Sequence, residues 1–233
     1  MNYAASRFAS VIAAAALTVA AGCSAHSGTA LPPMASNAAP EPMPRAASSA
    51  VSVLNKLRKQ IVIGSTVDPK FGQLNPYGLT VAPSTNGAFA AGDLAVCNFN
   101  AKRNVQGTGF TIVALHPKAG STPRLVAAGR ELTGCNSLAL APDDTIWAAA
   151  FSADDNPVIA ANGKLLTNVK GTAFDRPWGQ AFAVPKHGAP AFYESNTGDG
   201  TILRIGLGAR FTYTTIARGF AVNHGQPGSI FGP

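Results

Sequence analysis

The chain has 233 residues and is 46% hydrophobic with 24 glycines and 17 prolines, which suits a turn-rich globular fold and argues against a helix bundle or a disordered chain. Only 12% of residues are charged, and the net charge of +7 comes from scattered lysines and arginines. Nucleic-acid binders concentrate basic residues on one face, so this dispersed balance argues against nucleic acid as a partner.

The N-terminus, "MNYAASRF", carries one positive charge at Arg7, and an apolar run follows from Ala9 to Ala21 before Gly22 and Cys23. This is the pattern of a secretory signal peptide, too short for a comfortable membrane span. The junction "TVAAGC" resembles the lipobox of bacterial lipoproteins, with Ala20 standing where leucine is usual. The resemblance implies that residues 1–22 are removed and that Cys23 becomes the lipidated first residue. Ser24 in place of aspartate implies sorting to the outer membrane, facing the periplasm or cell surface. Several acyl chains anchor stably where a single one binds only marginally. The alternative is an ordinary signal peptide with an incidental cysteine.

Residues 23–49 are nearly all Ala, Ser, Pro, Gly and Met, with Glu41 and Arg45 among the few charges. Such a stretch buries too little apolar surface to offset ordering and predicts a flexible tether. From Ala50 to Gln60 the pattern changes, with Val51, Leu54 and Leu57 at helical spacing and Lys56, Arg58 and Lys59 between them. Two readings stay open there, a short amphipathic helix or the lead-in to a strand at Ile61 to Ile63.

Beyond Ile61 the sequence reads as strands separated by turn signals. A first unit places them at Leu79–Ala82, Leu94–Phe99, Phe110–Leu115 and Leu125–Ala128. A second places them at Ser137–Ala141, Ile146–Phe151, Val158–Ala161 and Leu165–Val169. A third places them at Gln180–Ala183, Ala191–Glu194, Thr201–Ile205 and Phe211–Ala217. Asn162-Gly163 in "ANGK" predicts a type I′ hairpin, because both central positions of that turn need positive φ. "APDDT" and "TGDGT" supply further reversals. The phrases "GLTVAP", "SLALAP" and "QAFAVP" end at Pro83, Pro142 and Pro185. Four-stranded units recurring at roughly 40 to 50 residues, with loop insertions absorbing the difference, are the signature of β-propeller blades. A β-sandwich of hairpins would fit the strands but not the recurring phrase.

The segments "NPYGLTVAP", "GDLAVCNFN", "NVQGTGFTIVAL" and "FYESNTGDGTILRIGL" resemble blades of bacterial secreted propellers of the NHL-repeat and SMP-30/gluconolactonase-like group, over about Asn75 to Pro233. The expected fold is therefore all-β, an NHL-like propeller of about three four-stranded antiparallel blades in an incomplete ring. Its region is 50–233, with blades at about 75–130, 131–172 and 173–228 and a further one opening at 229–233. The group commonly has six blades, so the resemblance implies either a truncated member or a half-propeller completed by a second copy as a homodimer.

Candidate chemistry is sparse. Cys97 and Cys135 are the cysteines that remain after Cys23, in a compartment that permits disulfides, and read either as a bonded pair or as two buried thiols. His26, His116, His187 and His224 show no ligand spacing, and no G-x-S-x-G elbow is present. The gluconolactonase resemblance implies an alternative, a divalent-metal lactonase or esterase with calcium held by oxygen ligands, for which Asn75, Asn136, Glu194, Asn196 and Asp199 are candidates. The early Glu-Gly-Pro motif of that group is absent, Asn75-Pro76 standing in its place. The plainer reading has Asn136 capping a strand and Asn196 and Asp199 satisfying turns. Trp147 and Trp178 read as core. Lys102 and Arg103 tip a polar loop, read as solvated or as a contact for an anionic glycan or lipid headgroup. The expectation is a lipid-anchored extracytoplasmic binding scaffold without a resident cofactor, its partner an envelope protein or small ligand. A metal-dependent hydrolase and a fragment with no function of its own are the alternatives.

Overall fold

The computed structural model describes residues 52–224. Cys23 with its leader and tether, His26, and the expected opening of a further blade at 229–233 lie outside the described residues. The chain up to Lys56 and the chain from Leu57 form separate units. In the first, a single helical turn, α1, spans Val53–Lys56. In the second, residues 57–63 form no strand, and Gly64 makes one isolated parallel bridge to Ser121.

Twelve strands follow, in three consecutive four-stranded antiparallel sheets. The first sheet holds β1 (Leu74–Val81), β2 (Leu94–Asn100), β3 (Thr111–Leu115) and β4 (Arg124–Ala128). The second holds β5 (Cys135–Leu140), β6 (Ile146–Ala150), β7 (Asn156–Ile159) and β8 (Leu165–Val169). The third holds β9 (Pro177–Ala183), β10 (Ala191–Asn196), β11 (Thr201–Gly206) and β12 (Thr212–Ala217). The twelve strands expected in the three units are all present, whereas the strand held open at Ile61 to Ile63 does not form. The first strand of each sheet begins earlier than alternation suggests, and in β1 and β9 the extension takes in Pro76 and Pro177. Each first strand pairs on one side only, so a proline there withholds no ladder hydrogen bond.

The Asn162-Gly163 hairpin is not type I′. Gly163 N–H donates to Ala160 O, Ala160 N–H donates to Lys164 O, and only Gly163 has positive φ, which is a type I turn closed by a glycine bulge. The "APDDT" turn repeats the geometry with Asp144 at φ 61° in the glycine's place. Ser84 holds the buried Asp144 carboxylate, which fixes that unusual backbone.

The first strands β1, β5 and β9 pack side by side, so the sheets succeed one another as propeller blades around an inner edge. At the first seam Gly78 has no room for a Cβ, which would stand 2.6 Å from Ser137 Cα. Cys97 on β2 and Cys135 on β5 are bonded across it, with Cα atoms 5.4 Å apart. Ala95, Ile112, Leu138, Ile146 and Ala148 fill this seam. The second is filled by Trp147, Val158, Phe192, Leu203 and Ile205, with Trp147 stacked on Phe192 at 4.4 Å. The middle blade is therefore packed on both faces, which explains why β6, Ile-Trp-Ala-Ala-Ala, is buried at every position.

The opposite face of the first blade is sealed by the lead-in. Ile63 O accepts Ser121 N–H at 2.9 Å, Thr66 O accepts Asn98 Nδ2–H at 2.9 Å, and a Cβ on Gly64 would meet Leu115. Buried Asp68 closes the loop, its carboxylate accepting the N–H groups of Lys70, Phe71 and Gln73. Gln73 Oε1 in turn accepts Phe110 N–H at 2.6 Å, and Phe71 sits edge-on to Phe110. Val96, Val113 and Leu115 are thereby removed from solvent.

Candidate functional site

The chemically distinctive region lies at the seam between the second and third blades, near the starts of the first strands. There the inner strands meet through side chains. Asn136 Nδ2–H donates to Trp178 O at 2.7 Å, and Gln180 N–H donates to Ser137 Oγ at 3.0 Å. Gln180 also spans the seam with its carboxamide, donating from Nε2 to Glu194 Oε2 at 2.6 Å on its own blade and to Asn156 Oδ1 on β7.

Glu194 is 1% exposed, and no described cation pairs with it. Burial pushes its carboxyl from the ordinary value of 4.5 up to about 8, with the hydrogen bond from Gln180 only partly opposing the rise and the charge of Asp154 adding to it. It is therefore a neutral acid near pH 7. Glu194 Oε1, Gln180 Oε1, Asn136 Oδ1 and Asn156 Nδ2 are buried without a protein hydrogen-bond partner, an uncommon concentration for one seam.

Beside this polar group four rings from all three blades gather. Trp178 lies 5.7 Å from Tyr77, 5.7 Å from Phe99 and 5.4 Å from Phe151, each nearly edge-on. Tyr77 and Phe99 are 4.7 Å apart. Phe99 is fully buried, whereas Tyr77 is 43% exposed and Trp178 half-buried, so the cluster shows two rings to solvent. Arg176 lies over Phe151 at 5.5 Å and is held by its own N–H donating to Asp154 Oδ1. Asp175 is raised by burial and by Asp154 and Asp199, with Arg176 opposing. Its carboxylate occupies the space a Cβ on Gly198 would need.

The structure disperses the metal candidates. Asn196 is fully committed, donating to Ala173 O and Thr201 Oγ1 and accepting Asp175 N–H. Asp199 accepts from Thr201 N–H and Oγ1–H within its own turn. Of the set, Asn136 and Glu194 keep a buried oxygen free. Among the described residues no group of three or more His, Cys, Asp or Glu is placed to hold a metal ion. The donor set therefore does not fit a calcium-type site. Asn75 takes φ 64° at the start of β1.

Lys102 and Arg103 sit exposed on the turn after β2, the Lys102 stem lying beside Gly72. His116 Nδ1 is 2.8 Å from Asp93 Oδ1, and His187 and His224 are exposed. Trp147 is core, whereas Trp178 belongs to the half-open ring cluster. Sequence reasoning missed Tyr77, Asn156 and Gln180. The usable signal was the shared "NPYG" and "RPWG" phrase, which sets an aromatic residue before the seam glycine in two blades.

No protein-family model matches the chain, and no curated protein sequence matches it. Among solved structures, a catalytically inactive virginiamycin B lyase from Staphylococcus aureus with quinupristin is similar at 19% identity and a TM-score of 0.45, over 66% of this chain and 46% of that one. A streptogramin B lyase is similar at 19% and 0.42, over 63% and 41%. A protein of unknown function from Bacteroides caccae is similar at 15% and 0.40, over 63% and 46%. The chain spans less than half the length of these three structures. The blade assignment rests on the sheet order and seam contacts of this chain.

Proposed function

We propose that this protein is an exported, lipid-anchored β-propeller scaffold that holds an envelope ligand or partner where Tyr77 and Trp178 open beside the second seam. The observation that carries the binding reading is the four-ring cluster, built from all three blades and flanked by buried amides with unused hydrogen-bonding capacity. Aromatic faces with a few fixed polar groups are the usual lining of small-ligand sites. Lys102 and Arg103, on the loop after β2, supply positive charge suited to an anionic glycan or headgroup. Anchoring at Cys23 through the lipobox-like "TVAAGC" keeps the blades at an outer-membrane surface. The seam acid has amide neighbours, Gln180 and Asn156, a set that supports recognition by hydrogen bonds. This reading therefore stands ahead of a lactonase.

Two measurements test it. Palmitate labelling should mark the wild-type protein in cells and not the Cys23→Ser variant; labelling of neither refutes the anchor. Tryptophan fluorescence in a Trp147→Phe background reports Trp178, and soluble muropeptides should quench it saturably, with at least tenfold weaker binding after Tyr77→Ala. No saturable change refutes the site, and turnover of a lactone with a calcium-dependent rise in melting temperature would establish the hydrolase instead.

A further inference from the structure

Scattered along the sequence, the basic residues are gathered by the fold. Residues 57–128, the lead-in and first blade, hold seven lysines and arginines against two acids, whereas residues 129–224 hold eight of each sign. Both acids of the first segment are buried and engaged: Asp68 accepts three N–H groups of its own loop, and Asp93 faces His116 and Arg124. Arg58, Lys59, Lys70, Lys102, Arg103 and Lys118 are exposed, and among the described residues no acid pairs with them. The lead-in draws them into a stripe. Ser121 N–H donates to both Ile63 O and Lys118 O, which sets the Lys118 turn beside the incoming chain, and at the far end the Lys102 stem lies beside Gly72, just beyond Lys70. Apolar side chains stand in solvent among these cations: Leu57, Ile61, Val62, Val67 and Val105 are exposed, Val62 at 83%.

We propose that this stripe, running along the lead-in from Leu57 to Lys70 and onto the loop after β2, is a docking face for an anionic lipid surface. Its composition selects that partner. A nucleic acid would engage the cations and leave Val62 and Val105 in water. A bilayer surface takes both, the headgroup phosphates meeting the ammonium and guanidinium ends while the acyl boundary receives the branched side chains. The lead-in suits the role because residues 57–62 form no helix or strand and their side chains are not committed to the blade core. The proposal deepens the anchored reading by naming the face that lies on the membrane, and it rests on that reading only for the membrane being within reach. The stripe includes neither Tyr77 nor Trp178, so docking holds or fails separately from ligand binding.

The test uses the exported full chain with Cys23→Ser, which removes the acyl site and leaves the face intact, in co-sedimentation with lipid vesicles. Binding should be about tenfold or more stronger to vesicles of equal parts phosphatidylcholine and phosphatidylglycerol than to phosphatidylcholine alone, and should weaken as salt rises. Lys59→Glu, Lys70→Glu and Lys118→Glu together should reduce it about tenfold or more. Lys164→Glu, Lys186→Glu and Arg210→Glu together, at exposed positions of the other two blades, change the net charge equally and should leave binding within about twofold. A solvent-sensitive thiol fluorophore on Val62→Cys should shift to the blue on the anionic vesicles, and the same label on exposed Thr214→Cys in the third blade should not; Cys97 and Cys135 are bonded and do not react. Equal binding to both kinds of vesicle, equal loss in the two triple variants, or a shift at position 214 without one at 62 would overturn the proposal. Absent palmitate labelling with vesicle binding retained would remove the anchor and uphold the face.

Discussion

Glu194 shows how one residue couples composition to pH behaviour. Its folded carboxyl titrates near 8 because burial disfavours the charge, whereas an unfolded glutamate titrates near 4.5. Between those values the unfolded chain binds fewer protons than the folded one, so stability falls as pH rises from about 4.5 and levels off above about 8. The loss amounts to roughly a few kcal/mol, because each tenfold change in proton affinity between the two states is worth about 1.4 kcal/mol. Glu194→Gln keeps the shape and a donor while removing the titration. Thermal melts from pH 5 to 9 should show little change at pH 5, a melting temperature several degrees above wild type at pH 9, and a flatter slope between. A wild-type slope retained in the variant would place the titrating group elsewhere.

At the scale of the element, the lead-in acts as a cap. It has one isolated bridge and no strand, so its attachment depends on particular bonds, above all the three N–H groups held by the Asp68 carboxylate. Buried charge-assisted hydrogen bonds of this kind contribute on the order of 1.5–3 kcal/mol, and removing the acceptor strands the donors. Asp68→Ala should cost about 2–3 kcal/mol by denaturant midpoint. It should raise amide exchange in residues 63–73 and at Val96 and Val113 while β9–β12 keep their wild-type rates. Uniform acceleration over all three blades would mean that the cap is not a separate element.

For the whole molecule, the seams decide cohesion, because each blade is a meander whose own hydrogen bonds do not reach the next. The first seam has both an apolar core and the Cys97–Cys135 link, which closes a loop of 38 residues. The second relies on Trp147, Phe192 and the Gln180 bridge. The loop-entropy relation gives the disulfide about 4 kcal/mol. Replacing both cysteines with alanine should lower the unfolding free energy by roughly that amount and bring the first seam's exchange rates up toward those of the second. A thiol titration that finds two free cysteines in the native wild type would remove the basis of this expectation.

The strand positions were legible in the sequence because alternation, turn residues and recurring phrases are local properties, and "GLTVAP", "SLALAP" and "QAFAVP" each mark an inner strand. What escaped was whatever depends on a partner distant in the chain. Asn162-Gly163 looked like one turn type and became another, since of its two residues Gly163 alone takes positive φ. Glu194 and Asn196 stand two residues apart on β10, with the same outward pattern. One became a buried neutral acid with a free oxygen and the other a fully bonded backbone brace, because Gln180 and Asn156 face the first while Ala173 and Asp175 face the second. The sequence by itself determined three antiparallel meanders and their order, since period and turn chemistry are written residue by residue. Only the tertiary structure decided which faces pack, which polar atoms are stranded and which end of the stack is sealed, since burial and partner geometry arise when segments far apart in the chain meet.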